Sequence, residues 1–119
     1  MSDNVFGILD AKINDGQLDN LKALMQEMVD GTQRDEPGAN AYEWFVFDEG
    51  KSLHLHERYA DSEAVMVHLS NFRQKYGQRF LAYLTPIRIT MYGNPSDEVR
   101  TAFTAFTPIY LSLSAGFAR

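Results

Sequence analysis

The chain has 119 residues, 45% of them hydrophobic and 13% aromatic, which predicts one folded domain over residues 1–119 and excludes intrinsic disorder. The formal net charge is −5, so no basic surface for nucleic acid is expected, and the absence of cysteine excludes disulfides and thiolate chemistry. No apolar run is long enough to span a membrane, and the polar start, Met1-Ser-Asp-Asn4, lacks the pattern of a signal peptide. We therefore expect a cytoplasmic protein that binds neither membranes nor nucleic acid.

Strand-like and helix-like patterns follow one another along the chain. Alternating apolar residues predict strands, and apolar residues three and four apart predict helices. The predicted strands cover residues 5–13, 41–47, 53–59 and 85–92, and the predicted helices begin at residues 18, 61 and 74. The order strand, helix, strand, strand, helix, strand is that of the ferredoxin-like βαββαβ fold, an α+β fold with an antiparallel four-stranded sheet.

The last quarter of the chain lies outside this pattern. Asn94 to Glu98 has the composition of a helix start, and residues 109–117 alternate between apolar residues and small or polar ones. We expect a core of about residues 5–92 and a C-terminal extension of about residues 94–119, made of one helix and an extended tail.

The predicted second strand is apolar on both faces. When helices cover one side of a sheet, the other side normally meets solvent and is polar. Here one face carries Tyr42, Trp44 and Val46, the other carries Glu43, Phe45 and Phe47, and in the fourth strand Ile87, Ile89 and Met91 share one side. Leaving both phenylalanines in water forfeits roughly 1.5–3 kcal/mol each. The sequence therefore predicts a homodimer in which two sheets cover each other.

Two short segments resemble a known family. Glu36-Pro-Gly-Ala-Asn-Ala-Tyr42-Glu43 matches the segment that enters the second strand in the antibiotic biosynthesis monooxygenase-like family. Leu53 to Ala64, followed by His68, matches that family's third strand and the start of the next helix. The resemblance implies a dimeric α+β barrel, in which two ferredoxin-like subunits pack sheet to sheet and each keeps a pocket between its sheet and its helices.

The same resemblance implies two kinds of activity. Some members are oxygenases of quinol-like substrates that use no metal or flavin, and others cleave haem. The haem-cleaving members have a tryptophan at the position of His68 and an asparagine at the position of Leu9. Their iron-binding histidine falls near Tyr76 of this chain. These departures disfavour haem cleavage, and we expect no cofactor.

Glu57 and His68 are the candidate catalytic residues. Glu57 shares a strand face with aromatic residues, and a carboxylate in such surroundings suits a general acid or base. His68 is placed to orient a phenol or quinone oxygen. The alternatives are a structural hydrogen bond or ion pair for Glu57 and simple packing against Tyr76 for His68. The aromatic side chains suited to binding a flat ligand are Tyr42, Trp44, Tyr59 and Tyr76.

A second cluster of polar residues has the composition of a weak metal site. His54 and His56 point the same way from one strand, and His56 is expected opposite Glu43. Two imidazoles and a carboxylate suit zinc, iron or copper. The alternative is that these histidines lie at a subunit contact. Because only three ligands are in view, we predict no metal here.

These observations support three functional hypotheses. The first is a cofactor-independent monooxygenase acting on a small aromatic substrate, phenol-like or quinol-like, as the resemblance implies. The second is a dimeric barrel that binds a small ligand without catalysis. The third is a metal-dependent oxygenase.

Overall fold

The helices and strands follow the predicted α+β order. The computed structural model describes residues 3–119. The elements are β1 (Val5–Ile13), α1 (Leu18–Asp35), β2 (Ala39–Phe47), β3 (Ser52–Tyr59), α2 (Ser62–Lys75), α3 (Gly77–Tyr83), β4 (Leu84–Tyr92), α4 (Asp97–Ala102), a 3-10 turn (Thr104–Phe106) and β5 (Ile109–Leu111). The ferredoxin-like βαββαβ prediction is confirmed, and no helix in the described part of the chain is long and apolar enough to cross a membrane.

The sheet has one strand more than predicted. Within residues 3–119 the strand order is β2-β3-β1-β4-β5, and the β2–β3, β3–β1 and β1–β4 pairs are antiparallel. The C-terminal tail adds β5 parallel to β4, and the backbone N–H of Gly93 donates to the carbonyl oxygen of Leu111 at 2.9 Å. The addition occurs because an uncovered β4 edge would leave backbone groups unpaired. The sheet is therefore mixed and open.

A β-bulge changes the predicted face of Ile87. Between Asp10 and Ala11 of β1, the partner in β4 moves from Arg88 to Pro86, so Ile87 is the extra residue. Its side chain is 68% exposed, whereas Met91 on the same strand is buried. The predicted shared side of Ile87, Ile89 and Met91 is therefore wrong at Ile87, because strict alternation ends at a bulge.

The core lies between one face of the sheet and helices α1, α2 and α3, and it has two parts. The larger cluster packs α1 against β1 and β3, with Leu21, Leu24 and Leu53 fully buried. The smaller cluster lies around Val5 and Val99 and includes residues of α2 and α4. Each fully buried aliphatic side chain contributes roughly 1.5–3 kcal/mol. These two clusters fix the helices over the sheet and leave a cavity where they meet.

The other face of the sheet is uncovered in the single chain. Phe45 and Phe47 are 48% and 47% exposed. The ring of His56 lies 5.0 Å from that of Phe45, and the ring of His54 lies 5.0 Å from that of Phe47. This outer face, defined by these four residues, is the apolar surface that the sequence predicted.

Candidate functional site

A small apolar cavity lies between the sheet and the helices. Its volume is about 110 Å³. Leu9 and Phe80 of the larger core cluster line it together with Val5 and Met91 of the smaller one. The polar side chains of Glu57 and His68 also reach its wall. One carboxylate and one imidazole therefore lie at the wall of a space that is mostly apolar.

Glu57 projects inward from the middle of β3. It pairs with Tyr42 of β2 on one side and Gly7 of β1 on the other. Its Oε1 atom accepts a hydrogen bond of 2.6 Å from the hydroxyl of Tyr59, two residues along the same strand face. Among residues 3–119, neither a hydrogen bond nor an ion pair to Oε2 is found, and both partners of this carboxylate bind Oε1.

His68 is held between two carboxylates. Its Nδ1 lies 2.8 Å from Glu36 Oε1, and its Nε2 lies 3.4 Å from Glu57 Oε1. Burial by itself lowers the pKa of the imidazole, but the hydrogen bond to Glu36 and the charges of Glu57 and Glu36 outweigh that effect. The pKa of His68 is therefore raised above its ordinary value. The protonated form is stabilised inside the molecule.

Glu36 is the site residue that the sequence analysis missed. It follows the last turn of α1, and its side chain is almost fully buried. A carboxylate is disfavoured at the negative end of a helix, so it needs compensating donors. His68 and Asn71, three residues apart on one face of α2, supply them, with Asn71 Nδ2 donating to Glu36 Oε2 at 3.3 Å. The available signal was Glu36-Pro37-Gly38 itself, which had served only to support the resemblance.

Two tyrosines line the cavity beside His68. Tyr42 and Tyr59 both line it, and their rings lie 5.2 and 5.4 Å from that of His68. Burial and then the charge of Glu57 raise the pKa of each phenol well above its ordinary value, so both remain protonated. The Tyr42 O–H donates to no acceptor within residues 3–119. An unpaired buried donor costs about 1–3 kcal/mol.

Gly7 provides space beside Glu57. It lines the cavity from β1, and a Cβ atom added there would approach only the carbonyl oxygen of Thr90, at 3.8 Å. The backbone therefore tolerates a side chain at this position, and what glycine provides is volume. Glycine inside a strand often marks a place where a ligand approaches closely.

Comparisons with known proteins identify the fold. No protein-family model matches the chain, and no curated protein matches it. MupZ from Pseudomonas fluorescens has a TM-score of 0.88 and 22% identity, covering 100% of this chain and 91% of MupZ. A "putative antibiotic biosynthesis monooxygenase" from Bacteroides thetaiotaomicron has a TM-score of 0.67 and 21% identity, covering 73% of this chain and 85% of that one. A mutant of SnoaB, a cofactor-independent oxygenase from Streptomyces nogalater, has a TM-score of 0.67 and 12% identity, covering 80% of this chain and 96% of SnoaB.

The chain has the antibiotic biosynthesis monooxygenase-like fold. This confirms, at the level of the fold, the resemblance found in the two sequence segments. Because the alignment with MupZ spans the whole chain, it includes the C-terminal extension. The alignments that cover 73% and 80% of the chain are about as long as the core of residues 5–92.

Within this antibiotic biosynthesis monooxygenase-like fold, two predicted ligand-binding aromatics lie away from the cavity. Trp44 packs in the larger core cluster with its ring 6.1 Å from that of Phe80. Tyr76, at the end of α2, is buried with its hydroxyl against Gly31 of α1. Neither lines the cavity. Both side chains belong to the packing of the larger core cluster.

The weak metal candidates lie on the outer face of the same fold. Glu43 pairs with His56 in the β2–β3 register, as expected, and the His54 and His56 rings are stacked. His54 Nε2 contacts the carboxylate of Asp10 on β1. Among residues 3–119, no group of three His, Asp or Glu side chains is arranged to hold a metal ion. This cluster is separated from Glu57 and His68 by the sheet.

The C-terminal extension contributes to the cavity wall. Phe103, at the end of α4, and Phe106, in the 3-10 turn, both line the cavity. Their rings are 6.1 Å apart. No pattern within this segment predicts its contact with the cavity, because that contact depends on how α4 packs against α2.

Proposed function

We propose that this chain is a cofactor-independent monooxygenase that acts on a small, neutral aromatic substrate of the phenol or quinol type. The observation that carries the proposal is the buried imidazole of His68, held between Glu36 and Glu57 at the wall of an apolar cavity. The likeness of fold to SnoaB, a cofactor-independent oxygenase, supports the same reaction class.

The charge of the site favours a neutral substrate that becomes an anion after binding. With His68 protonated, two carboxylates and one imidazolium leave the site with a net negative charge, which disfavours binding of an acid. Glu57 Oε2 accepts the proton of the substrate hydroxyl. The imidazolium of His68 then stabilises the resulting phenolate.

Dioxygen is the co-reactant. The electron-rich phenolate forms a bond from a ring carbon to one oxygen atom of O₂, and the distal oxygen takes up the proton held by Glu57. Loss of the ring hydrogen and cleavage of the O–O bond leave a second carbonyl group on the ring. The released hydroxide and the ring proton form water, so a phenol plus O₂ becomes a quinone plus H₂O. The apolar cavity excludes bulk water and strengthens these electrostatic interactions.

The test is oxygen uptake with a panel of quinols and naphthols. The wild-type chain should consume one O₂ per quinone formed. Glu57→Gln, which keeps the shape but loses the base, should reduce the rate by about 10²–10⁴-fold. Glu49→Gln, in the exposed β2–β3 turn, is the matched control and should retain the wild-type rate.

A second candidate function is proton transfer without oxygen, such as isomerisation. The observation that favours it is that moving a proton is the chemistry supplied by His68, Glu36 and Glu57 themselves. Product formation under anaerobic conditions would select this candidate. Ligand binding with no turnover in either atmosphere, unchanged by Glu57→Gln, would instead indicate a non-catalytic binding protein.

We also propose that two copies pair through their outer faces. Phe45 and Phe47 remain about half exposed in one chain, and an isologous sheet-to-sheet contact would bury both copies of each. The adjacent His54 and His56 would then be enclosed in the contact, which accounts for their place on this face better than a metal does.

A further inference from the structure

The cavity opens to solvent at a place formed partly by the C-terminal extension. Leu81 of α3 and Phe106 line the cavity, yet they are 51% and 39% exposed. His68 lines the same cavity and is only 8% exposed. Leu81 and Phe106 are therefore the exposed part of the cavity wall, which we call the mouth, whereas the acid–base groups lie in its buried part.

The volume of the cavity limits what can be enclosed. A dry cavity of roughly 150 Å³ in another protein accommodates benzene, so about 110 Å³ has room for about one ring. A larger substrate must extend through the mouth. Since the cavity wall is nearly all apolar up to the mouth, the part of the substrate that extends through the mouth must be apolar too.

The extension holds its aromatic residues firmly at the mouth. Val99 of α4 is completely buried, and Arg100 lies over the ring of Tyr110 at 4.3 Å. Thr107, directly after Phe106, has φ 44° and ψ 57°, a left-handed conformation that is unfavourable for a β-branched residue. Such strain persists only where the surrounding structure imposes it. The N–H groups of Phe106 and Thr107 close the turn by donating to the carbonyl oxygens of Phe103 and Thr104 at 3.0 and 3.1 Å.

We propose that Phe106, supported by Phe103, determines specificity by binding an apolar chain carried by the substrate. The ring of the substrate lies in the cavity, and an alkyl substituent passes between Phe106 and Leu81 to the surface. The substrate class is thus an alkyl-substituted phenol or quinol. The identity of the ring rests on the proposed function, whereas the binding of the chain does not.

The experiment measures the affinity of phenol and of 4-alkylphenols with one to six carbons by titration calorimetry. In the wild-type chain each added methylene should tighten binding by roughly two- to fourfold. In Phe106→Ala the gain should fall below about twofold per methylene. Phe106→Leu, which keeps an apolar side chain, should lie between the two. Phe117→Ala, in the exposed tail, is the matched control and should behave as wild type.

Three results would overturn the proposal: no binding of any alkylphenol, an affinity that does not rise with chain length, or a slope unchanged in Phe106→Ala. Thermal melting of each variant separates these results from a loss of fold. Glu57→Gln should keep the chain-length slope while losing oxygen uptake, so failure of the catalytic proposal and failure of this one are distinguishable.

Discussion

Replacement of Glu36 by glutamine tests the arrangement on which the site depends. Glutamine has nearly the same shape, and its carbonyl oxygen can still accept from His68 Nδ1. It removes the negative charge, however, and it places an NH₂ group where Glu36 Oε2 accepts from Asn71. The variant therefore separates the effect of charge from the effect of packing.

The expected loss of stability follows from the contacts. Hydrogen bonds to a charged group contribute about 1.5–3 kcal/mol, and neutral ones about 0.5–1.5 kcal/mol. Exchanging one kind for the other at His68, with the Asn71 contact weakened, should lower the free energy of unfolding by about 1–3 kcal/mol. Glu36→Ala also removes the acceptor and should cost about 3–5 kcal/mol, as is typical when one partner of a buried pair is lost.

The pH dependence has a definite sign. Because the pKa of His68 is raised in the folded chain, its stabilising contribution is fully present below the ordinary histidine pKa of about 6.5 and is lost as pH rises through the raised value. Glu36→Gln removes the charge of Glu36 and weakens the hydrogen bond to the imidazole, so burial, which lowers this pKa, is opposed mainly by the charge of Glu57. The decline in stability with rising pH should therefore become shallower or reverse in the variant.

The assay combines urea denaturation across pH 5–9 with NMR titration of the histidine rings. With an m value of about 2 kcal/mol/M, the expected loss lowers the midpoint by about 0.5–1.5 M. His54 and His56, on the opposite side of the sheet, serve as internal references. Glu49→Gln should change stability by less than about 0.5 kcal/mol. A titration curve of His68 that is the same in wild type and Glu36→Gln would refute the reasoning, since the charge of Glu36 would then have no influence on the imidazole.

Three further outcomes are expected. Gly7→Val adds a side chain inside the cavity, where a Cβ atom meets no backbone clash, so the melting temperature should be preserved. Binding of phenolic ligands, measured by calorimetry, should weaken at least tenfold, and an unchanged affinity would place the ligand elsewhere. Asp61→Ala removes the side chain that caps α2 by accepting from the Ala64 N–H at 2.8 Å. The free energy of unfolding, measured with denaturant, should fall by about 0.5–2 kcal/mol, and no fall would mean that the cap contributes nothing. Phe45→Glu places a charge on the outer face and should convert a dimer into folded single chains in sedimentation velocity; wild-type protein of single-chain mass at micromolar concentration would contradict the pairing itself.

Much of the candidate site was predictable because side chains alternate along a strand. That period of two is a local property, so the sequence alone places Glu57 on the same face as Tyr42 and Tyr59. It also places Glu43 opposite His56, because a short turn sets the register of the hairpin. The prediction for Ile87 was wrong because the β-bulge is not a local property of β4. It arises from the pairing of β4 with β1, which no pattern within β4 reveals.

Contacts between distant segments had to come from the structure. Glu36 and His68 are 32 positions apart, and their meeting depends on where the end of α1 crosses α2. The same holds for Phe106, which reaches the cavity only because α4 packs on α2 and β5 pairs with β4. In both cases a residue that looks ordinary in sequence acquires a role from its neighbours.

The sequence by itself determined the order of elements, the inward face of each regular strand and the excess of apolar surface on the sheet. These follow from short-range geometry, since a strand or helix repeats its side-chain directions every few residues. Only the tertiary structure decided which carboxylate holds His68, where the cavity opens and which aromatic residues line it. Those features depend on the angle and depth at which helices pack on a sheet, and many residues far apart in the chain fix that packing together.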